Sequence, residues 1–214
     1  MGNLTIQENR FELDGKPIRL LSAAMHYFRT PRAYWRDRLL KLKAAGFNAI
    51  ETYVAWNLHQ PGPERQYCFE DMLDIEAFIR MIGELGMHAI VRPGPYICTE
   101  WDFGGLPWWL LADDNIRLRC MNGPYLAAVD QWFDVLIPRL CSLQSTRGGP
   151  IIAMQVENEY GSYGNDAAYL DYLRRGMIAR GVEVPLFTSD GPTDFMLQGG
   201  TLPDVFKTAN FGSR

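Results

Sequence analysis

The chain has 214 residues, of which 47% are hydrophobic and 13% aromatic, and a formal net charge of −4. This composition is typical of a well-packed globular protein and excludes an intrinsically disordered one. The acidic balance argues against nucleic acid or an anionic membrane as the main partner, and no apolar run approaches the ~20 residues that a membrane span needs.

Targeting and metal-binding signals are also missing from the sequence. The first ten residues contain no basic segment followed by an apolar one, so no signal peptide is expected and a cytoplasmic location is predicted. The four cysteines form no CxxC pair and the three histidines form no HExxH motif. This spacing favours reduced thiols over a disulfide framework, and it predicts no metal site.

The first predicted element is a hairpin over residues 11–18, with its turn at Asp14-Gly15. A helix follows, with Thr30 as its N-cap and Pro31 at its first helical position. A buried stripe at helical spacing predicts a second helix from Ile75 to Leu85. Two further helices are predicted, over residues 125–143 and 166–180, and strands are predicted near 19–25, 47–54, 87–92, 151–157, 184–188 and 205–211.

Three of these helices end at a glycine that is followed at once by an apolar strand. Gly46, Gly86 and Gly181 each fit the left-handed position that closes a helix. Strands that alternate with helices in this way imply βαβ units and a parallel sheet.

Six such strands fit either a doubly wound sheet or an incomplete (β/α)₈ barrel. No GxGxxG motif follows the first strand, so a dinucleotide-binding fold has little support. A barrel usually needs about 250 residues, and no sequence remains for strands seven and eight. Polar residues stand at the carboxyl end of nearly every strand, where the catalytic groups of a barrel gather: His26, Tyr53, Asn57, Arg92, Asn158, Glu159 and Asp190. The predicted fold class is therefore α/β, a TIM barrel with about six of its eight βα units.

Residues 155–161, QVENEYG, place two carboxylates and two amides at the end of a buried strand. Unpaired buried charge costs several kcal/mol, so these groups either satisfy one another or take part in chemistry. Regular alternation places Gln155, Glu157 and Glu159 on one face, and Asn158 turns inward only if the pleat breaks at the rim. The local pattern fits a structural hydrogen-bonded network as well as a catalytic one.

A long segment, residues 91–124, follows the third strand and is too aromatic for disorder. Aromatic faces beside carboxylates suit sugars, although at least two of its four large aromatic residues are expected in the core or in a subunit interface. These four are Trp101, Phe103, Trp108 and Trp109. Carboxylates, amides and aromatics without metal ligands or a phosphate loop indicate glycoside hydrolysis, which needs one protonated and one ionised carboxyl group.

Three stretches occur in a characteristic order: ETYVAWNLHQP (51–61), VRPGPYICTEWDFGGLPWWL (91–110) and GGPIIAMQVENEYGSYG (148–164). They resemble the signatures of the family 35 glycoside hydrolases, the acid-stable type of β-galactosidase. The resemblance runs from the hairpin to the NFGSR end of the chain. It implies a (β/α)₈ catalytic barrel that needs no cofactor and releases terminal β-linked galactose with retention.

The resemblance also implies roles for individual residues. Glu159 matches the catalytic acid/base, and Asn158 matches the neighbouring amide that contacts the sugar at its 2-hydroxyl. Tyr53 and Glu100 match galactose-binding residues. Glu157 matches a family position to which no chemical role is assigned, and it is interpreted as support for its neighbours.

The chain departs from the family pattern in three places. Thr99, which with Cys98 is expected to offer backbone contacts to the sugar, stands where Ala is common, and FRTPRAYW is one residue shorter than usual. The nucleophile of the family is a Glu on strand seven, whereas this chain stops at Arg214 after strand six. Asp190 is the nearest spare carboxylate, but no motif matches it to the nucleophile.

The sequence therefore predicts that residues 1–214 are the N-terminal portion of a single catalytic barrel, part of a retaining β-galactosidase acting on a galactoside or oligosaccharide. Alone, the chain is expected to be inactive. An open barrel exposes two strand edges, so self-association or a second chain that completes the barrel is expected. Two alternatives stay open: a related retaining glycosidase for another sugar, and a non-catalytic galactose-binding or interaction module.

Overall fold

A computed structural model describes residues 2–7 and 9–212. The chain opens with a three-stranded antiparallel sheet of β1 (Leu4–Gln7), β2 (Arg10–Leu13) and β3 (Lys16–Ile18). Between β2 and β3, Asp14 and Gly15 have φ values of 53° and 72°. Two consecutive positive φ values are what a tight hairpin turn requires, so the predicted hairpin is confirmed, and β1 adds a third strand to it.

The second sheet has six parallel strands, which pair in the order of the sequence. They are β4 (Ser22–Ala24), β5 (Ala49–Tyr53), β6 (His88–Arg92), β7 (Ile151–Gln155), β8 (Leu186–Asp190) and β9 (Phe206–Ala209). A doubly wound sheet reverses its strand order at one point, and this sheet does not. The prediction of an incomplete (β/α)₈ barrel is thus confirmed.

The connections between the parallel strands contain the helices. These are α1 (Trp35–Ala44), α2 (Trp56–His59), α3 (Ile75–Glu84), α4 (Gly123–Cys141), α5 (Ala167–Ala179) and α6 (Asp194–Gly200). Gly46, Gly86 and Gly181 have φ values of 96°, 71° and 101°, as predicted for the residue that closes each helix. No helix of the described residues is long and apolar enough to cross a bilayer.

The start of α1 differs from the prediction. The helix begins at Trp35, and Pro31 is extended, with φ −53° and ψ 137°, so the predicted N-cap at Thr30 is wrong. The indole Nε1 of Trp35 donates to the carbonyl oxygens of Tyr27 at 3.2 Å and Thr30 at 2.8 Å. The buried tryptophan thereby holds the preceding residues in a turn and delays the helix by one 3₁₀ turn.

The main hydrophobic core lies between the parallel sheet and its helices. Trp101 and Trp109 pack against this core, whereas Trp108 is 63% exposed, so the expectation that two of the four aromatic residues of the long segment serve packing is confirmed. A smaller cluster joins the two sheets, since Leu4 packs with Ala153 of β7. The antiparallel sheet is thereby fixed to the barrel strands.

Candidate active site

The turn after β7 is the centre of the candidate site. β7 ends at Gln155, and Glu157 and Glu159 both adopt left-handed backbone, with φ of 56° and 45°. The regular alternation therefore does not continue to residue 159, because the pleat breaks at the rim, which is the case in which Asn158 was expected to turn inward. Left-handed φ in non-glycine residues costs about 1–3 kcal/mol each and persists only where surrounding contacts enforce it.

Asn158 is almost completely buried within this turn. Its Oδ1 accepts hydrogen bonds from the Tyr53 hydroxyl at 3.2 Å, an Arg92 guanidinium nitrogen at 2.9 Å and Gln155 Nε2 at 3.3 Å. These donors stand at the ends of β5, β6 and β7. Three donors on Oδ1 fix the orientation of the amide, and its Nδ2 donates to none of the residues that the structure describes.

Tyr53 stays a neutral donor in this network. Burial is the main cause that raises the pKa of its phenol above the ordinary value. The Arg92 guanidinium carbon lies 4.2 Å from the centre of the Tyr53 ring, and Arg92 also donates to Gln155 Oε1. The structure therefore brings Tyr53 and Asn158, two of the predicted site residues, into direct contact.

His26, from the end of β4, borders the same group. Its ring centre lies 5.2 Å from that of Tyr53, and its Nε2 is hydrogen-bonded to the Thr99 hydroxyl at 3.2 Å. Burial, with smaller contributions from Arg29 and Arg92, lowers the pKa of His26 to about 4. The imidazole is thus neutral at physiological pH and adds no charge to the site.

Glu159 is anchored from the other side, by β8 and β9. Its backbone N–H donates to the Ser189 carbonyl at 2.9 Å, and Asn210 Nδ2 donates to its Oε1 at 2.7 Å. Ser189 Oγ in turn donates to Asn210 Oδ1 at 2.8 Å. Asn210 was missed from the sequence, although it stands at the end of a predicted strand just as the other candidates do.

Asp190, the spare carboxylate at the end of β8, lies beneath this turn and is only 1% exposed. Its Oδ1 accepts from the Gly161 N–H at 2.8 Å, while Oδ2 has no partner among the described residues. Burial is the largest cause that raises the pKa of Asp190 to about 6, and the negative charges of Glu157 and Glu159 act in the same direction.

Glu157 takes part in a different set of contacts. Its carboxylate accepts two hydrogen bonds of 2.8 Å from Arg119, which is itself buried. Arg119 lies 38 residues earlier, in the irregular part of the long aromatic segment. No periodic pattern surrounds it, so the sequence held no signal that would pair it with Glu157.

The segment that carries Glu100 forms a separate wall. Cys98, Thr99 and Glu100 are three consecutive left-handed residues, with φ of 54°, 49° and 46°. The Arg29 guanidinium donates to the carbonyl oxygens of Thr99 and of Glu100. The Glu100 side chain is exposed and accepts no hydrogen bond from the described residues, so the structure does not bring it into the Asn158 network.

Asn57, another of the polar residues expected at the rim, contacts the long aromatic segment. It accepts from Trp101 Nε1 at 3.1 Å and donates to the Asp102 carbonyl at 3.1 Å, and so it braces the long segment. In residues 2–7 and 9–212, no group of three or more His, Cys, Asp or Glu side chains is arranged to hold a metal ion.

Comparison with known proteins gives the family. The model of the glycosyl hydrolases family 35 matches residues 10–214. The β-galactosidase of Felis catus is 53% identical over 206 residues, which cover 95% of this chain and 31% of that protein. The β-galactosidase of Homo sapiens is 48% identical over 215 residues, which cover 100% of this chain and 32% of that protein. The chain thus spans about a third of the length of these curated relatives.

Solved structures with similar folds are much more distant in sequence. A GH5_18 protein from Streptomyces cattleya in complex with GlcNAc has a TM-score of 0.63 at 14% identity, over 83% of this chain and 47% of that one. A hyperthermophilic endocellulase from Pyrococcus horikoshii has a TM-score of 0.59 at 17% identity, over 89% and 57%. These likenesses support the barrel fold alone. The family match over nearly the whole length, with relatives at about half identity, shows that the chain belongs to family 35 of the glycosyl hydrolases.

Proposed function

We propose that residues 1–214 are the N-terminal portion of a single (β/α)₈ catalytic domain in a retaining β-galactosidase, which removes terminal non-reducing β-D-galactose from galactosides. The observation that carries the proposal is the fixed Asn158-Glu159 pair at the carboxyl end of β7. The family match and relatives named β-galactosidase favour galactose as the sugar.

In this proposal Glu159 is the catalytic acid/base. It protonates the glycosidic oxygen as the bond to the leaving group breaks, and it then removes a proton from the water that releases galactose. The hydrogen bond from Asn210 leaves one lone pair of Oε1 and all of Oε2 for this exchange. The hydrogen bond from the Glu159 backbone N–H to the Ser189 carbonyl fixes the position of the Glu159 carboxyl group in the site.

Asn158 and Tyr53 would bind the sugar. The Nδ2 of Asn158 donates to none of the described residues, so it can donate a hydrogen bond to the 2-hydroxyl of the sugar. Such a hydrogen bond strengthens in the transition state of glycoside hydrolysis. The Tyr53 hydroxyl, which donates to Asn158, can still accept from a sugar hydroxyl. Glu100 would accept hydrogen bonds from a galactose that lies between the segment of residues 98–100 and the Asn158 turn.

A retaining mechanism needs a second carboxylate as nucleophile. Asp190 is a poor candidate, because its Oδ1 is engaged by Gly161 and a Cβ at Gly200 would overlap that same oxygen. We therefore assign the nucleophile to a segment outside residues 1–214 and propose that this chain alone does not hydrolyse galactosides. The partner would be that completing segment, or a second copy of the chain along the free edges of β4 and β9. The cytoplasmic location stays a prediction.

Hydrolysis of an aryl β-galactoside tests the proposal, with the complete gene product, residues 1–214 alone and Glu159→Gln in the complete product. We expect activity in the complete protein only, and a covalent adduct with a 2-fluoro galactoside there. A panel of other aryl glycosides identifies the rival with a different sugar specificity. Galactose binding without turnover in the complete protein would instead support the non-catalytic module. This module is the second candidate function because no residue of this chain matches the nucleophile of the family.

A further inference from the structure

A buried ion pair lies directly behind the Asn158 turn. The Arg119 guanidinium binds both carboxylate oxygens of Glu157 at 2.8 Å. The guanidinium carbon also lies over two aromatic rings, at 3.8 Å from the centre of Tyr96 and 4.2 Å from that of Tyr163. Arg119 is 5% exposed and Glu157 is 1% exposed, so the pair is enclosed almost completely.

Stability alone gives little reason for such a pair. Removing two charges from water costs several kcal/mol per ion, and apolar residues of similar volume often stabilise a protein equally well. A buried pair of this kind is better explained by a role that requires directional hydrogen bonds from charged groups. The contacts of the pair with the neighbouring backbone indicate this role.

The pair holds both polar backbone groups of Asn158. Arg119 donates to the Asn158 carbonyl oxygen at 2.8 Å, and the Asn158 N–H donates to Glu157 Oε2 at 2.6 Å. The residues on either side of Asn158 are the two left-handed ones, Glu157 and Glu159. The ion pair is therefore among the contacts that enforce this strained backbone, together with the hydrogen bond from the Glu159 N–H to the Ser189 carbonyl.

Tyrosine hydroxyl groups complete the network around the pair. Tyr169 donates to Glu157 Oε1 at 3.2 Å, and its hydroxyl lies 3.3 Å from that of Tyr125. The Tyr160 hydroxyl donates to the Arg119 carbonyl at 3.0 Å. Burial raises the pKa of both Tyr125 and Tyr169, and Glu157 raises the pKa of Arg119 despite the opposing effect of burial. Throughout physiological pH these groups thus keep one protonation state, and the network is a fixed support.

We propose that Arg119 is a positioning residue for glycoside hydrolysis: its bidentate pair with Glu157 and its contact with the Asn158 carbonyl set the directions of the Asn158 amide and the Glu159 carboxyl group. This assignment rests on the proposed function. Arg119 acts through the turn, because its guanidinium is occupied by Glu157, by Asn158 and by aromatic rings.

The test uses three variants of the complete gene product. Arg119→Lys keeps the positive charge but cannot bind the carboxylate at two points, and Tyr169→Phe removes only one hydroxyl from Glu157. Arg180→Lys is the matched control, since Arg180 makes ion pairs with Asp130 and Asp134 on α4, away from the turn. Measurements are kcat, KM and the pH profile with an aryl β-galactoside, together with the melting temperature.

For Arg119→Lys we expect kcat to fall by about 10- to 100-fold, the range that a misplacement of up to ~1 Å produces. KM should stay within about threefold, because the contact with the 2-hydroxyl gains its strength in the transition state. The pH profile of kcat should shift as well. Lysine would neutralise the Glu157 carboxylate less completely than the bidentate guanidinium does, which changes the charge near the Glu159 carboxyl group. Tyr169→Phe should lower kcat by about fivefold, as expected for the loss of one hydrogen bond.

The inference is overturned if folded Arg119→Lys and Tyr169→Phe keep the kcat and pH profile of the unchanged protein and differ only in melting temperature. It is also overturned if Arg180→Lys loses as much kcat as Arg119→Lys. If Arg119→Lys does not fold, Tyr169→Phe decides. Failure of the proposed function is distinguishable, because the unchanged protein itself would then hydrolyse no galactoside, and the inference would be lost with it.

Discussion

Asp190 gives the fold a dependence on pH that can be measured. Its pKa is raised from an ordinary 3.8 to about 6, mainly by burial. Between these two values the folded protein holds a proton that the unfolded chain has released, so the free energy of unfolding falls as pH rises from about 4 to about 6. Roughly two pKa units at 1.36 kcal/mol each give a loss of about 2–3 kcal/mol by pH 7.5.

The variant Asp190→Asn removes this titration while keeping an oxygen that can accept from the Gly161 N–H. We therefore expect the stability of the unchanged protein relative to the variant to decrease by about 2–3 kcal/mol between pH 4 and pH 7.5. Denaturant unfolding of both forms of the complete gene product at several pH values measures this difference.

Asp171→Asn is a useful control because its pKa is shifted the other way. Asp171 is half-buried, and the hydrogen bond from Arg174 lowers its pKa. Its contribution is therefore present at neutral pH and lost in acid, so this variant should deviate in the opposite direction. If Asp190→Asn followed the unchanged protein at every pH, the assignment of a buried, partly protonated Asp190 would be refuted.

Three further substitutions test the site and its surroundings. In the complete gene product, Glu159→Gln should lower kcat by about 10²–10⁴-fold, the usual contribution of a general acid, while galactose binding measured by calorimetry persists. Tyr53→Phe should reduce kcat/KM by about fivefold in the same assay, because Asn158 Oδ1 loses one of its three donors. Gly200→Ala should lower the stability in denaturant by about 1–3 kcal/mol, since its Cβ would overlap Asp190 Oδ1, and an unchanged midpoint would contradict that packing.

The order of the strands and the ends of the helices could be predicted because they depend on local patterns. The stripe from Ile75 to Leu85 and the glycine at position 86 lie close together in sequence, and α3 and β6 form where they predict. The start of α1 could not be predicted this way. It depends on a hydrogen bond from Trp35 back to Tyr27, a contact that overrides the signal of Thr30 and Pro31.

The candidate site shows the same division. Tyr53, Asn158 and Glu159 could be selected because each stands at or just past the end of a predicted strand and lies in a recognisable motif. The left-handed backbone at Glu157 and Glu159 has no such signal, because the contacts that hold it come from Arg119 and from Ser189 of β8. A simple rule about strand ends would have selected Asn210, but its bond to Glu159 spans 51 residues and appears only when the sheet is assembled.

The sequential pairing of the six parallel strands has a consequence for biosynthesis. Each strand pairs with the one translated just before it, so the sheet can grow on the ribosome without waiting for a distant partner. The three residues that donate to Asn158 Oδ1 are Tyr53, Arg92 and Gln155, and all of them are translated by the time β7 has emerged. Glu159 must wait for Asn210, 51 residues later, which at 5–20 residues per second is roughly 3–10 s of further synthesis. The nascent chain therefore fixes the side chain of Asn158 before that of Glu159.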